Sequence, residues 1–139
     1  MEVSSQTQIG QQNEESHLKL TSRNFVLGFT GTIQGILALA GLFFPAKAFG
    51  EDNLSIVILS NLRAFTAAEV ALSIFALYAL VTKKNQDAAL IFVLLTVVGW
   101  TVGQILSLII DGSPNTFTIV TIFVQALFIP LSWAGLKGK

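Results

Sequence analysis

The chain contains no cysteine. Disulfides, iron–sulfur clusters, thiolate metal sites and cysteine nucleophiles are therefore excluded, and the redox compartment leaves no trace in the sequence. Histidine is nearly absent too. The one imidazole, His17, lies in a polar N-terminal stretch, which argues against an intramembrane haem or a metal site built on imidazole. Charge is thin: Asp, Glu, Lys and Arg make up 12% of 139 residues, about half the share a soluble domain carries. Formal net charge is zero, so no bulk field draws the chain to nucleic acid or to an acidic substrate. Ser, His and Asp do not converge on a triad, and no phosphate loop, metal cluster or base-stacking platform is written in the sequence. No enzyme is expected.

What the chain has in quantity is apolar sequence, 53% of its residues. It falls into four runs, Phe25–Phe44, Ile56–Val81, Ala88–Ile110 and Phe117–Leu136. Each reaches or approaches the ~20 residues a helix needs to cross a ~30 Å hydrocarbon layer. The expected fold is all-α, a transmembrane four-helix bundle over residues 23–139, in a multi-pass protein of a cell inner or energy-transducing membrane. Residues 1–22 are polar and rich in Gln, Ser and Glu. They lack the apolar core and cleavage site of a secretory signal and, with Glu2 in second place, the glycine of a myristoylation motif. They carry too little apolar surface to fold alone, so a disordered or partner-bound tail is expected.

Lys and Arg set the orientation. Lys19, Arg23, Lys83, Lys84, Lys137 and Lys139 fall on one side, and Lys47 stands on the other beside Glu51, Asp52 and Asp111. Both termini are then cytoplasmic, with outer loops at Pro45–Ser55 and Asp111–Thr116. The second of these, Asp111-Gly112-Ser113-Pro114-Asn115, combines a helix stop with a proline restart. The Val81–Asp87 link is short, and short links favour an up-down-up-down arrangement. Tyr78 and Trp133 fall near cytoplasmic helix ends, where amphipathic rings prefer to sit; Trp100 falls mid-span.

Helices in lipid associate through close packing and interhelical hydrogen bonds. Gly28, Gly31 and Gly35 in the first span, and Gly99 and Gly103 in the third, recur at helical spacing. Gly31, Gly35, Gly99 and Gly103 are read as packing seams, with a homodimer face as the alternative for one of the two helices. A faint repeat sets Gln34–Leu39 against Gly103–Leu108, with Pro45 and Pro114 at the same offset.

Each span also carries a strongly polar residue at depth: Gln34, then Arg63 and Glu69, then Gln104, then Gln125. An ionised side chain at the bilayer centre costs about 2.5–3.5 kcal/mol on the mildest scale. Glu69 should therefore face the protein interior or a partner chain, near Gln34 or Gln125, which lie at matching depth. Arg63 and Glu69 are six residues apart, too far for a close intrahelical pair, so Arg63 is expected to reach Gln104 or the outer interface. Three roles remain open for these five residues: a polar seam that fixes helix register, a small-ligand or proton site, or a contact with another chain.

Two stretches, Asn61-Leu62-Arg63-Ala64-Phe65 and Gly103 through Pro114 (GQILSLIIDGSP), together with four short spans, resemble the small uncharacterised members of the DoxX-like four-helix membrane superfamily. The resemblance covers most of Phe25–Leu136. Where relatives show glycines after the "RAF" element, this chain has Ala67 and Ala68. Where they often carry arginine in the third helix and glutamate in the fourth, Gln104 and Gln125 stand here, an amide pair in place of a charge pair. The resemblance implies no fixed reaction. Some DoxX-like relatives are linked to quinone-coupled oxidation as small subunits beside a catalytic partner. The expected role is thus an accessory subunit of a larger membrane complex. The alternative is a redox-associated protein binding a quinone or other small ligand, a pigment included, at the polar midplane. The expected partners are the lipid bilayer and a membrane protein or a second copy.

Overall fold

The computed structural model describes residues 2–45, 47, 55–112 and 116–137. The expected outer loop at 46 and 48–54 and the Ser113–Asn115 turn lie outside the described residues. Among those described, all regular structure is helical: α1 (Glu2–Phe29), a five-residue π turn (Thr30–Gln34), α2 (Gly35–Phe43), α3 (Ile56–Thr82), α4 (Gln86–Asp111) and α5 (Thr116–Leu136). The α1, π turn and α2 segments follow one another without a break. Four stretches are long and apolar enough to cross a membrane: Ser16–Phe43, Ile56–Thr82, Gln86–Ile110 and Ile119–Leu136. The protein is an all-α integral membrane protein.

The first helix is the longest of those described. It begins at Glu2 and so includes the stretch read from sequence as a disordered or partner-bound tail. No proline interrupts residues 2–29 and Gln, Glu and Lys all extend a helix readily. Its lower part is also anchored: Ser22 and Val26 are buried, and Arg23 Nη2 donates to Gly135 O at 3.0 Å.

The helix ends have local causes. Ser55 caps α3, its hydroxyl accepting from Ile58 N at 3.3 Å, which satisfies one of the orphan donors of a first turn. At the other end Lys83 (φ 58°) and Asn85 (φ 57°) take left-handed backbone, a conformation asparagine tolerates and lysine does not favour. Thr82 Oγ1 accepts from Lys84 N at 3.3 Å and steadies this turn. Gly112, at φ 93°, follows the end of α4, where a residue with a side chain would be strained.

The chain divides into two compact units, Leu27–Ala89 and Met1–Val26 with Leu90–Lys139. In the first, α3 buries Thr66, Glu69, Ser73, Ala76 and Ala79, a spacing of three and four that marks one helix face. The facing strip carries Thr30, Gly31, Gly35, Ala38 and Gly41. A Cβ on Gly28 would lie 3.7 Å from Leu80 Cδ2, on Gly31 3.2 Å from Leu77 N, and on Gly35 3.1 Å from Ser73 Cβ. Each step up one helix is met by an equal step down the other, so the pair is antiparallel. Gly31 is the tightest point, because its Cβ would fall inside the Leu77 side chain as well.

In the second unit α4 and α5 also run antiparallel. Leu90 meets Gly135, Thr101 meets Gln125 and Gln104 meets Thr121. Leu90, Val93 and Val97 are the buried stripe of α4, and Gln125, Phe128 and Ser132 that of α5. Phe25 packs on Phe128 with ring centroids 6.1 Å apart.

Within its own unit α4 does not use Gly99 and Gly103 as a seam: both are exposed, and among the described residues of that unit a Cβ on either would meet no atom within 4 Å. Each lies two residues, about 200° of helix rotation, beyond Val97 and Thr101, so the stripe that packs turns them outward.

Candidate functional site

Glu69 is the central residue of α3. Its side chain is 5% exposed, which withdraws it from the acyl chains where a bare carboxyl is most costly. Its partner is the amide of Gln34: Gln34 Nε2 donates to Glu69 Oε2. Of the two amides at matching depth, Gln34 is the one that engages the carboxyl.

The π turn positions Gln34. Turns closed from residue i to i+5 insert one extra residue and are frequent at functional sites. Thr32 Oγ1 donates to Gly28 O at 2.6 Å, and such back-bonding from a threonine competes with the regular ladder and bends helices. Gly31 lets the same turn approach Leu77 closely. With the extra residue in place, consecutive residues Gln34 and Gly35 both meet α3, one at Glu69 and the other at Ser73.

Hydroxyls extend the polar strip along α3. Thr66 Oγ1 donates to Leu62 O at 2.9 Å, and Ser73 Oγ donates to Glu69 O at 2.9 Å. Thr30 is fully buried and its hydroxyl has no hydrogen-bond partner among the described residues, but on the register set by Gly31 and Leu77 it lies level with Tyr78 and not with Glu69. Thr66, Glu69, Ser73 and Gln34 thus form one polar strip in the middle of an otherwise apolar helix pair.

The other polar residues singled out from sequence go elsewhere. Gln125 is 5% exposed, and its Oε1 accepts from Thr101 Oγ1 at 2.9 Å, a hydroxyl that also reaches Val97 O at 2.8 Å. Gln104 Nε2 donates to Thr121 Oγ1 at 2.9 Å, while its Oε1 is buried without a partner among the described residues. Arg63 is exposed on α3. Gln34 and Glu69 form one site within the Leu27–Ala89 unit, and within the other unit Gln104 and Gln125 each pair with a threonine. Thr30, Thr101 and Thr121 were not singled out from sequence. Threonine is common in such helices, and nothing in its spacing separates a cross-helix partner from one that merely back-bonds.

No group of three or more His, Cys, Asp or Glu side chains able to hold a metal ion occurs among the described residues. Near the chain end, Lys137 Nζ lies 5.9 Å from the Trp133 ring centroid, a cation–π contact at the kind of helix terminus where both residue types anchor to a membrane surface.

Residues 22–136 match a family described as Domain of unknown function (DUF4345), and the chain belongs to that family. Neither a curated protein nor a solved structure matches it.

Proposed function

We propose that this DUF4345 protein is a non-enzymatic accessory subunit of a larger membrane complex. One observation carries the reading. Gly99 and Gly103 stand exposed on α4, and among the described residues of their own unit nothing lies within 4 Å of where their Cβ atoms would be, beside exposed Leu95, Val102 and Leu106. A small-residue strip allows another helix to approach closely in lipid, and no described residue of its own unit packs on this one. The test is a photo-crosslinking amino acid at position 103 and, as control, at the buried position 93, in native membranes. An adduct of one discrete mass from position 103 alone is expected. Only lipid adducts from position 103 would remove the support for the reading.

A second reading is favoured by a different observation, the mid-span Gln34–Glu69 pair. On this reading the protein is a redox-associated relative of the DoxX-like proteins that binds a quinone or other small ligand at its polar centre. The Asn61–Phe65 and Gly103–Pro114 stretches support the likeness. Quinone extraction from the purified protein tests it, with retention of quinone through detergent exchange expected and its complete loss contrary.

A further inference from the structure

Glu69 is the one carboxyl that the chain carries inside an apolar run, and the groups around it decide how its charge is met. The runs Phe25–Phe44, Ala88–Ile110 and Phe117–Leu136 hold no Asp, Glu, Lys, Arg or His, so no other span can bring a cation to it. Its own run, Ile56–Val81, holds two further ionisable side chains, Arg63 and Tyr78. Arg63 lies six residues away, about 9 Å along the helix axis and about 120° around it. It is exposed, whereas Glu69 is 5% exposed. Tyr78 lies nine residues away, about 13 Å along the axis, and is exposed too. The hydroxyls beside Glu69 are turned to the backbone: Thr66 Oγ1 donates to Leu62 O and Ser73 Oγ to Glu69 O. What meets the carboxyl is the uncharged amide of Gln34. A buried carboxylate with only a neutral partner is very costly, and such a group takes up a proton instead. A proton needs no room of its own. It also makes the carboxyl both donor and acceptor, as the amide is.

From this we infer that Glu69 is a proton-binding site: it stands in the seam as a neutral acid, and its proton lets α3 close on the π turn and α2. The Gln34–Glu69 pair is then a latch. Loss of the proton releases it, because the carboxylate left behind finds no cation in any span. The inference requires neither reading above.

Infrared spectroscopy of the purified full chain in lipid at neutral pH reads the proton directly. The carbonyl band of a protonated carboxyl is expected in the wild type and is expected to be absent from Glu69→Gln, which keeps the shape without the acid. Should Glu69→Gln fail to fold, changing Glu2, Glu14, Glu15 and Glu51 to Gln leaves Glu69 as the last glutamate, and carbon-13 labelling of glutamate should then shift the band. The latch is read by Ala38→Cys, a seam position 6% exposed in a chain without cysteine, placed in both the wild type and Glu69→Gln. As the pH is raised until the chain unfolds, maleimide labelling of the wild type should outrun that of Glu69→Gln by about five- to thirtyfold, the equivalent of one lost interhelical hydrogen bond. Absence of the band, a band that survives Glu69→Gln, or labelling that follows pH equally in both chains overturns the inference.

Discussion

Adding one methyl group at two glycines of the same type of motif should move stability in opposite directions. Gly31 sits in the π turn against α3, and its Cβ would overlap the Leu77 side chain and come within 3.2 Å of Leu77 N. The side chain can rotate away, but the backbone nitrogen cannot. Overpacking of this kind costs about 1–3 kcal/mol. Against it stands the gain of about 0.5–1 kcal/mol from replacing a helical glycine with alanine. The net effect of Gly31→Ala is then a loss of up to roughly 2.5 kcal/mol, with about 1 kcal/mol from the middle of both ranges. At Gly103 a Cβ meets nothing within 4 Å among the described residues, so only the backbone gain remains and Gly103→Ala should stabilise by up to about 1 kcal/mol. Unfolding by sodium dodecyl sulfate in mixed micelles, followed by the fluorescence of Trp100 and Trp133, measures both. Equal destabilisation by the two substitutions would refute the assignment of Gly31 to a packed face and Gly103 to an open one.

The remaining expectations follow from the same geometry. A double-mutant cycle with Gln34→Ala and Glu69→Ala should give a coupling of about 0.5–2 kcal/mol, the range for interhelical hydrogen bonds in membranes; a coupling indistinguishable from zero would mean the pair does not join the helices. Reporter fusions after Lys139 and within Glu51–Asn53 should report opposite sides of the membrane, with the C-terminus cytoplasmic. The same signal at both sites would contradict a four-span topology.

Much of the fold could be read from sequence because lipid makes a severe demand. Every spanning segment must satisfy its own backbone, so each becomes a long apolar helix that composition reveals. Residues 2–22, predominantly polar, lie outside that logic. Their polar composition speaks against independent folding but not against continuing a helix whose next turns, at Ser22, Arg23 and Val26, are held by packing. The site was half legible. Counting residues along each span gave the depth of Glu69 and reduced its partners to Gln34 and Gln125. Choosing between them required rotation about the helix axis, and the π turn at Thr30–Gln34 changes that rotation locally. A regular 3.6-residue period cannot show such a turn. The same limit explains Gly99 and Gly103: their spacing announces a face, but only the position of the Leu90–Val93–Val97 stripe decides that this face points outward.

Native mass spectrometry of the protein ejected from its own membranes tests the central claim most directly. If the chain is an accessory subunit, it should appear in a stoichiometric assembly heavier than its own 14.9 kDa that contains a second, different polypeptide, and an introduced Gly103→Leu should release it from that assembly while leaving the chain folded. A population consisting only of the single chain with bound lipid, unchanged by Gly103→Leu, would contradict the account.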